Sequence, residues 1–289
     1  MEIQSLSIVV PLNGCVNDCK FCVSRIHENQ YENLVEKSPE NWKYRANYIR
    51  RLQFARDNGC DTIIFTGIGE PLQNRDFITK FMSVINNEVN RPFVWFELQT
   101  SGVMLSNKNL TMLSNFGFST ISLSISDIFD SYQNGLINDI PRDLMFDLDD
   151  LCKQIKSFGF NLRLSLNMTS VYSDKTPQEI FNRVKDLSAD QVTIRELYKS
   201  KIQCKQNQWI DENSASVRTI YEIEKYIQLM GVELVLLPFG ARKYSINGIS
   251  AVVDSDCMSK EAKESIRYLI LRENCKLYSK WDDPASLIF

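Results

Sequence analysis

The chain has 289 residues, 44% of them hydrophobic, with 36 acidic and 33 basic side chains and a formal net charge of -3. That balance suits one large α/β domain with a full core, and it lacks the basic excess of a phosphate-tracking surface, so no nucleic-acid substrate is expected. No apolar run approaches the ~18 residues that cross a bilayer, and Met1 to Ser5 is not the start of a signal peptide. A cytoplasmic protein without a membrane contact is therefore expected, in a compartment where thiols stay reduced.

In chain order, short aliphatic or β-branched runs predict strands at Leu6–Pro11, Asp61–Thr66, Phe93–Gln99, Thr120–Ile125, Asn161–Met168, Gln191–Leu197 and Val232–Leu237. Helical patterns lie between them at 39–58, 75–90, 106–115, 144–158, 177–187 and 213–230. Thr176-Pro177-Gln178-Glu179 is a capping box with proline at the first helical position. Six or seven strand–helix alternations imply a parallel sheet covered by helices, either an open doubly wound sheet or a full or partial (β/α)6-7 barrel. In both, chemistry collects at the C-terminal ends of the strands. From about residue 239 the rhythm changes. A strand pair turns at Asn247-Gly248, a helix is expected at Lys260–Ile266, and a second strand pair occupies Arg267–Arg272 and Lys276–Ser279. The expected organisation is a barrel over 1–238 and a short C-terminal extension over 239–289 that closes it.

Eight cysteines are present, three of them within eight residues: Cys15, Cys19 and Cys22. In a reducing compartment such crowding points to metal rather than to disulfides. Three thiolates on a four-iron cluster leave one iron open, as a catalytic metal site requires. The competing reading is a zinc site with His27, the single histidine, as fourth ligand.

The spacing C-x3-C-x2-C, with the aromatic Phe21 just before the last cysteine and the whole loop after the first strand, resembles the radical S-adenosylmethionine (SAM) superfamily. The resemblance implies a (β/α) barrel, one [4Fe–4S] cluster on Cys15, Cys19 and Cys22, SAM as second cofactor, and adenine contact by the backbone beside Phe21. Thr66-Gly67-Ile68-Gly69-Glu70-Pro71 follows the second strand. It is similar to the family's glycine-glycine-glutamate motif, which holds the methionine amino group, although Ile68 stands where a glycine often lies. Glycines there let the backbone approach a ligand closely. Gly67, Gly69 and Glu70 are thereby assigned to SAM.

Later strand ends supply further candidates. Thr100, in Gln99-Thr100-Ser101-Gly102, sits where many relatives carry threonine-asparagine-glycine. Alternation places Ser122, Ser124 and Ser126 on one face of strand four, and Arg163, Ser165 and Asn167 on one face of strand five. Ser124, Ser126, Ser165 and Asn167 are candidates for cofactor contact. Arg195 suits a carboxylate, that of methionine or of an acidic substrate. The scattered cysteines predict no auxiliary cluster, and Cys257 or Cys275 is a candidate hydrogen donor. Tyr244, Tyr278 and Trp281 are candidates to line a substrate pocket, although aromatics in a small extension more often fill the core.

The function expected from the resemblance is reductive cleavage of SAM to a 5′-deoxyadenosyl radical that takes a hydrogen atom from a small molecule, nucleotide derivative or short peptide. The chain starts almost at its first strand, which favours a compact substrate entering the barrel mouth. A flavodoxin- or ferredoxin-type electron donor is the expected partner. The alternatives are a glycyl-radical-enzyme activase and a zinc-stabilised binding protein without catalysis.

Overall fold

In the computed structural model, residues 2–27, 44–90, 93–237, 240–254, 265–281 and 283–288 are described. Among the described residues eleven strands form one sheet, in the order β11-β10-β1-β2-β3-β4-β5-β6-β9-β8-β7. Its centre is the predicted parallel series: β1 (Glu2–Val10), β2 (Thr62–Gly67), β3 (Trp95–Thr100), β4 (Thr120–Ile125), β5 (Asn161–Asn167) and β6 (Gln191–Arg195). The neighbouring pairs are all parallel and follow one another in sequence order. This is the mixed α/β, parallel-sheet architecture expected.

Parallel strands buried on both faces read as continuous apolar runs, yet these alternate. Leu6, Ile63, Leu98, Leu123, Leu164 and Ile194 point to one side and join the main apolar core. Their neighbours Ser7, Gln99, Ser124 and Thr193 point to the other side, into a cavity of ≈ 1160 Å³. The helices that cover the apolar side bury residues at i, i+3 and i+4 spacing, the signature of one apolar stripe. In α3 (Arg75–Glu88) these are Phe77, Ile78, Phe81, Met82 and Ile85. In α6 (Leu148–Ser157) they are Leu148, Leu151, Cys152 and Ile155. The capping box of α7 (Pro177–Asp186) is present, with Glu179 accepting from the Thr176 backbone N–H at 2.7 Å.

The remaining helices are α1 (Val23–Ile26), α2 (Arg45–Asp57), α4 (Asn107–Asn115), α5 (Ser131–Ile137), α8 (Lys205–Asn213) and α9 (Val217–Met230). The first part of the helix expected at 39–58 lies outside the described residues, as does 260–264 of the expected helix Lys260–Ile266. Ser265 and Ile266 belong to a strand. Neither α5 nor α8 follows from sequence, because both are short and polar, with Asn134 and Gly135 inside the first.

The chain departs from the expected rhythm after α9. The predicted seventh strand, β7 (Val232–Leu236), does not join β6. It is an exposed edge strand, antiparallel to β8 (Arg242–Ile246). The place beside β6 is taken by β9 (Ile249–Asp254), which runs parallel to it. The turn at Asn247-Gly248, where φ is +51° and +84°, closes a tight hairpin that makes β7, β8 and β9 an antiparallel meander; β7 and β9 run in the same direction, and β9 takes the place beside β6 while β7 is left at the outer edge. At the other flank β10 (Ser265–Leu271) runs parallel to β1, with β11 (Leu277–Tyr278) antiparallel to it. Val252 of β9 and Tyr268 of β10, on opposite flanks, line the same cavity, so the sheet curls around it.

Candidate active site

The cysteine loop leaves β1 and crosses the C-terminal ends of the parallel strands. Cys22 is the N-cap of α1, and its carbonyl accepts from the backbone N–H groups of Arg25 and Ile26 at 3.2 Å. The Arg25 guanidinium fastens the loop to itself through Asp18 at 2.6 Å and the Asn17 carbonyl at 3.3 Å. The loop also leans on the end of α5, where the carbonyls of Ile137 and Asp139 accept from the backbone N–H groups of Lys20 and Asp18. All three thiols line the cavity, together with Phe21, whose ring lies 5.8 Å from that of Trp209 in α8.

Burial pushes the Cys15 thiol above its ordinary value, opposed in part by N–H groups of Asn17 and Glu70. It pushes Cys19 much further, helped by the negative charges that Cys22 and Cys15 would carry. Thiols gathered in this way favour a cationic partner, because metal charge removes the penalty of holding thiolates together. Among the described residues no three His, Cys, Asp or Glu side chains converge on one point as the ligands of a single ion.

The glycine loop meets the cysteine loop through Gly69. A Cβ there would stand 3.1 Å from Cys15 Cα, Cys15 Cβ and the Gly14 carbonyl oxygen, closer than side chains normally pack. Glycine is what allows the two backbones to touch. At Gly67 the same test gives 3.4 Å at nearest, an ordinary contact. Gln73 stitches the loops further, accepting from the Val16 N–H at 2.9 Å, and Asn74 donates to the Pro11 carbonyl at 2.8 Å. Neither residue stands out in the sequence as part of a site.

Glu70 is not poised in the cavity. Its carboxylate is buried and accepts from Thr100 Oγ1 at 2.7 Å, Ser101 Oγ at 2.7 Å, the Ser101 N–H at 2.8 Å and the Leu72 N–H at 3.3 Å. Burial raises its pKa, opposed first by the Ser101 N–H. Glu70 and Thr100 therefore tie the end of β3 to the glycine loop rather than offering free polar atoms. The hydroxyl of Thr100 also accepts from the Gly102 N–H.

Ser124 and Asn167 do line the cavity, and Asn167 Nδ2 donates to Ser124 Oγ at 3.1 Å. Ser126 is fully buried beneath them, donating to Asn138 Oδ1 at 3.1 Å. Ser165 Oγ is buried with no hydrogen-bond partner. Arg195 lines the cavity with its Nη2 4.0 Å from Asp254 Oδ2, at the limit of an ion pair, and its Nε buried and unpartnered. Tyr268 of β10 and Trp281, just past β11, also line it while packing against a small apolar cluster, so Trp281 meets both expectations. Tyr278 is core, packed with Val9 and Ile270. Cys275 sits in the main core with its thiol pushed up to about 12 by burial and does not face the cavity; Cys257 lies outside the described residues.

Residues 9–140 match the model of the radical SAM superfamily. SuiB of Streptococcus suis bound to S-adenosylmethionine has a similar structure, with a TM-score of 0.61 and 14% identity over 96% of this chain and 60% of that one. For anSMEcpe with bound AdoMet the TM-score is 0.56 with 16% identity, over 78% and 60% of the two chains. Coproporphyrinogen III oxidase (HemN) from Escherichia coli, described as a radical SAM enzyme, gives 0.53 with 15% identity, over 79% and 52%. The chain thus spans three-fifths or less of the length of these proteins, and at such identities the likeness is one of fold. No curated protein matches the sequence.

Proposed function

We propose that this chain is a radical SAM enzyme, that Cys15, Cys19 and Cys22 hold one [4Fe–4S] cluster, and that the cavity takes SAM and a substrate from which a hydrogen atom is removed. When bound, the cluster supplies the electron that cleaves SAM reductively to a 5′-deoxyadenosyl radical.

The observation that carries the proposal is the contact of Gly69 with Cys15. It sets the backbone polar groups of the glycine loop directly beside the thiols, at the mouth of a cavity large enough for both ligands. In this reading Gly67 and Gly69 present the backbone to the methionine end of SAM, and Glu70 and Thr100 act as positioning residues that fix that loop. Ser124 and Asn167 line the path of the nucleoside, with Ser126 and Ser165 supporting them from behind. Arg195 offers its unpartnered Nε and loosely held guanidinium to a carboxylate. The extension over 239–289 supplies β9 and β10, which flank the barrel of 1–238 on its two open sides and keep water from the cavity.

The substrate class is a small molecule, nucleotide derivative or short peptide. Among the similar structures, SuiB is bound to the precursor peptide SuiA and anSMEcpe to the Kp18Cys peptide, which supports a peptide within that class. A flavodoxin- or ferredoxin-type protein would deliver the electron. Among the described residues no helix is long and apolar enough to cross a membrane.

The test is anaerobic reconstitution with iron and sulfide, followed by dithionite and SAM. The expected product is 5′-deoxyadenosine, lost in the Cys15→Ala, Cys19→Ala and Cys22→Ala variants. A colourless protein that takes up one zinc and leaves SAM intact overturns the proposal.

A further inference from the structure

The cavity extends well below the level of the cysteines. Cross-strand register places its wall residues in rows. Arg163, Gln191 and Ser250 form one row across β5, β6 and β9, and Thr193, Val252 and Lys243 form the next across β6, β9 and β8. Arg163 lies four residues before Asn167 on β5, about 13 Å deeper at the ~3.3 Å rise of a parallel strand. The row of Arg163 is therefore too deep for the groups assigned to SAM.

The charges there do not balance. Arg163 is held in place by Glu97 at 2.5 Å through Nη1 and by Gln191 at 2.9 Å through Nε, which leaves Nη2 uncommitted. Glu97 is buried, and its other oxygen accepts from Gln99 at 3.2 Å. Lys243 faces the same cavity from β8 and has no carboxylate within ion-pair distance among the described residues. Desolvation first, and then the charge of Arg163, hold its pKa below the usual lysine value. Two cations thus share one buried carboxylate. Beside them the hydroxyl of Ser250 is buried with no hydrogen-bond partner. Uncompensated charge and unmade hydrogen bonds on one wall both cost free energy that a ligand of opposite character restores.

We infer that the deep wall of the cavity is an oxyanion site, in which Arg163 Nη2, Lys243 Nζ and the hydroxyl of Ser250 receive a carboxylate or phosphate group of the substrate. This rests on the reading of the cavity as the substrate chamber and narrows the substrate to an acidic one. Glu97 and Gln191 are positioning residues for Arg163. An anchor at this depth leaves the rest of a compact substrate extending upward toward the ligands held at the cysteine end.

The test uses SAM-loaded, cluster-reconstituted protein titrated anaerobically by calorimetry with inorganic phosphate and, separately, with acetate. A saturable isotherm with at least one is expected. Phosphate binding tighter than acetate assigns a phosphorylated substrate, and the reverse a carboxylic one. Lys243→Gln should weaken the preferred anion about tenfold, the loss of one charge-assisted contact, and Lys243→Arg should retain it. Arg163→Gln alone would strand Glu97, so the informative variant is Arg163→Gln combined with Glu97→Gln, which removes both charges of the pair. Its expected loss is also about tenfold. The inference is overturned if neither anion binds the wild-type protein, or if binding survives Lys243→Gln in a protein whose melting point is that of the wild type. Formation of 5′-deoxyadenosine, assayed on the same preparation, separates the two claims. Cleavage without anion binding rejects this site alone, and anion binding without cleavage rejects the proposed function alone.

Discussion

Replacing Gly69 with alanine tests how the two loops are joined. The added methyl would lie 3.1 Å from three atoms of Gly14 and Cys15, against an optimum near 3.5–4.0 Å for such contacts. None of these atoms is the far end of a flexible side chain, so the cysteine loop itself must move by several tenths of an ångström. Overpacking of this kind costs ~1–3 kcal/mol. At roughly 2–4 °C per kcal/mol for a large domain, a fall in melting temperature of about 2–12 °C is expected. The larger effect should fall on the cluster, because metal–ligand distances tolerate only about 0.2 Å. Iron retained after anaerobic gel filtration should drop to less than half of the wild-type value. Gly67→Ala is the internal comparison, since its methyl meets nothing closer than 3.4 Å; it should lose under about 1 kcal/mol and keep its iron. Equal behaviour of the two variants, in iron content and melting, would refute the claim that backbone contact at Gly69 sets the position of Cys15.

Three further outcomes are expected. Glu70→Gln places an amide N–H₂ where the carboxylate accepts from Thr100 and Ser101, and urea denaturation should show a loss of about 2–3 kcal/mol from the mismatched donors; an unchanged midpoint would count against its positioning role. Trp209 emission should be quenched when the cluster is reconstituted, because its ring stacks near Phe21 in the cysteine loop, and Trp209→Phe should remove most of the change among the four tryptophans. Asp149 is held below the usual carboxylate range by the two-pronged hydrogen bond from Arg183, at 2.9 and 2.6 Å. A depressed carboxylate stabilises the fold above its unfolded-state pKa and ceases to do so as pH falls through the depressed value. The Asp149→Asn variant should therefore melt lower than wild type at pH 7 by the equivalent of at most about 1 kcal/mol, since the pair is partly solvated, and the gap should close in acid.

The parallel strands were legible because their outward residues keep a strict apolar alternation, and the cysteine loop because thiol spacing is a local property. What the sequence could not show is where distant loops meet. Glu70 reads as a ligand until Thr100 and Ser101, thirty residues on, are seen to occupy both its oxygens. Arg163 and Glu97 are 66 residues apart, and Lys243 joins them only through the meander that places β9 rather than β7 beside β6. The short helix α5 escaped because its apolar pattern is too brief to register, yet its last carbonyls support the cysteine loop. Sequence leaves Trp281 between core and pocket; the two-strand hairpin beside β1 gives it both, a cavity wall on one side and a small apolar cluster on the other.

The alternation along the central strands divides the labour of each one between its two sides. Apolar side chains of one parity carry the folding energy by packing against helices, while polar side chains of the other parity contribute little to cohesion. A change at Ser124, Thr193 or Ser250 therefore draws on almost none of the stability held by Leu123, Ile194 or Ala251 next to it. Such a wall can be rewritten residue by residue, altering which molecule is admitted while the scaffold and the cysteine loop stay as they are. Diversification of what the chamber accepts is then a matter of even-numbered or odd-numbered positions along a strand, with no requirement for new loops or domains.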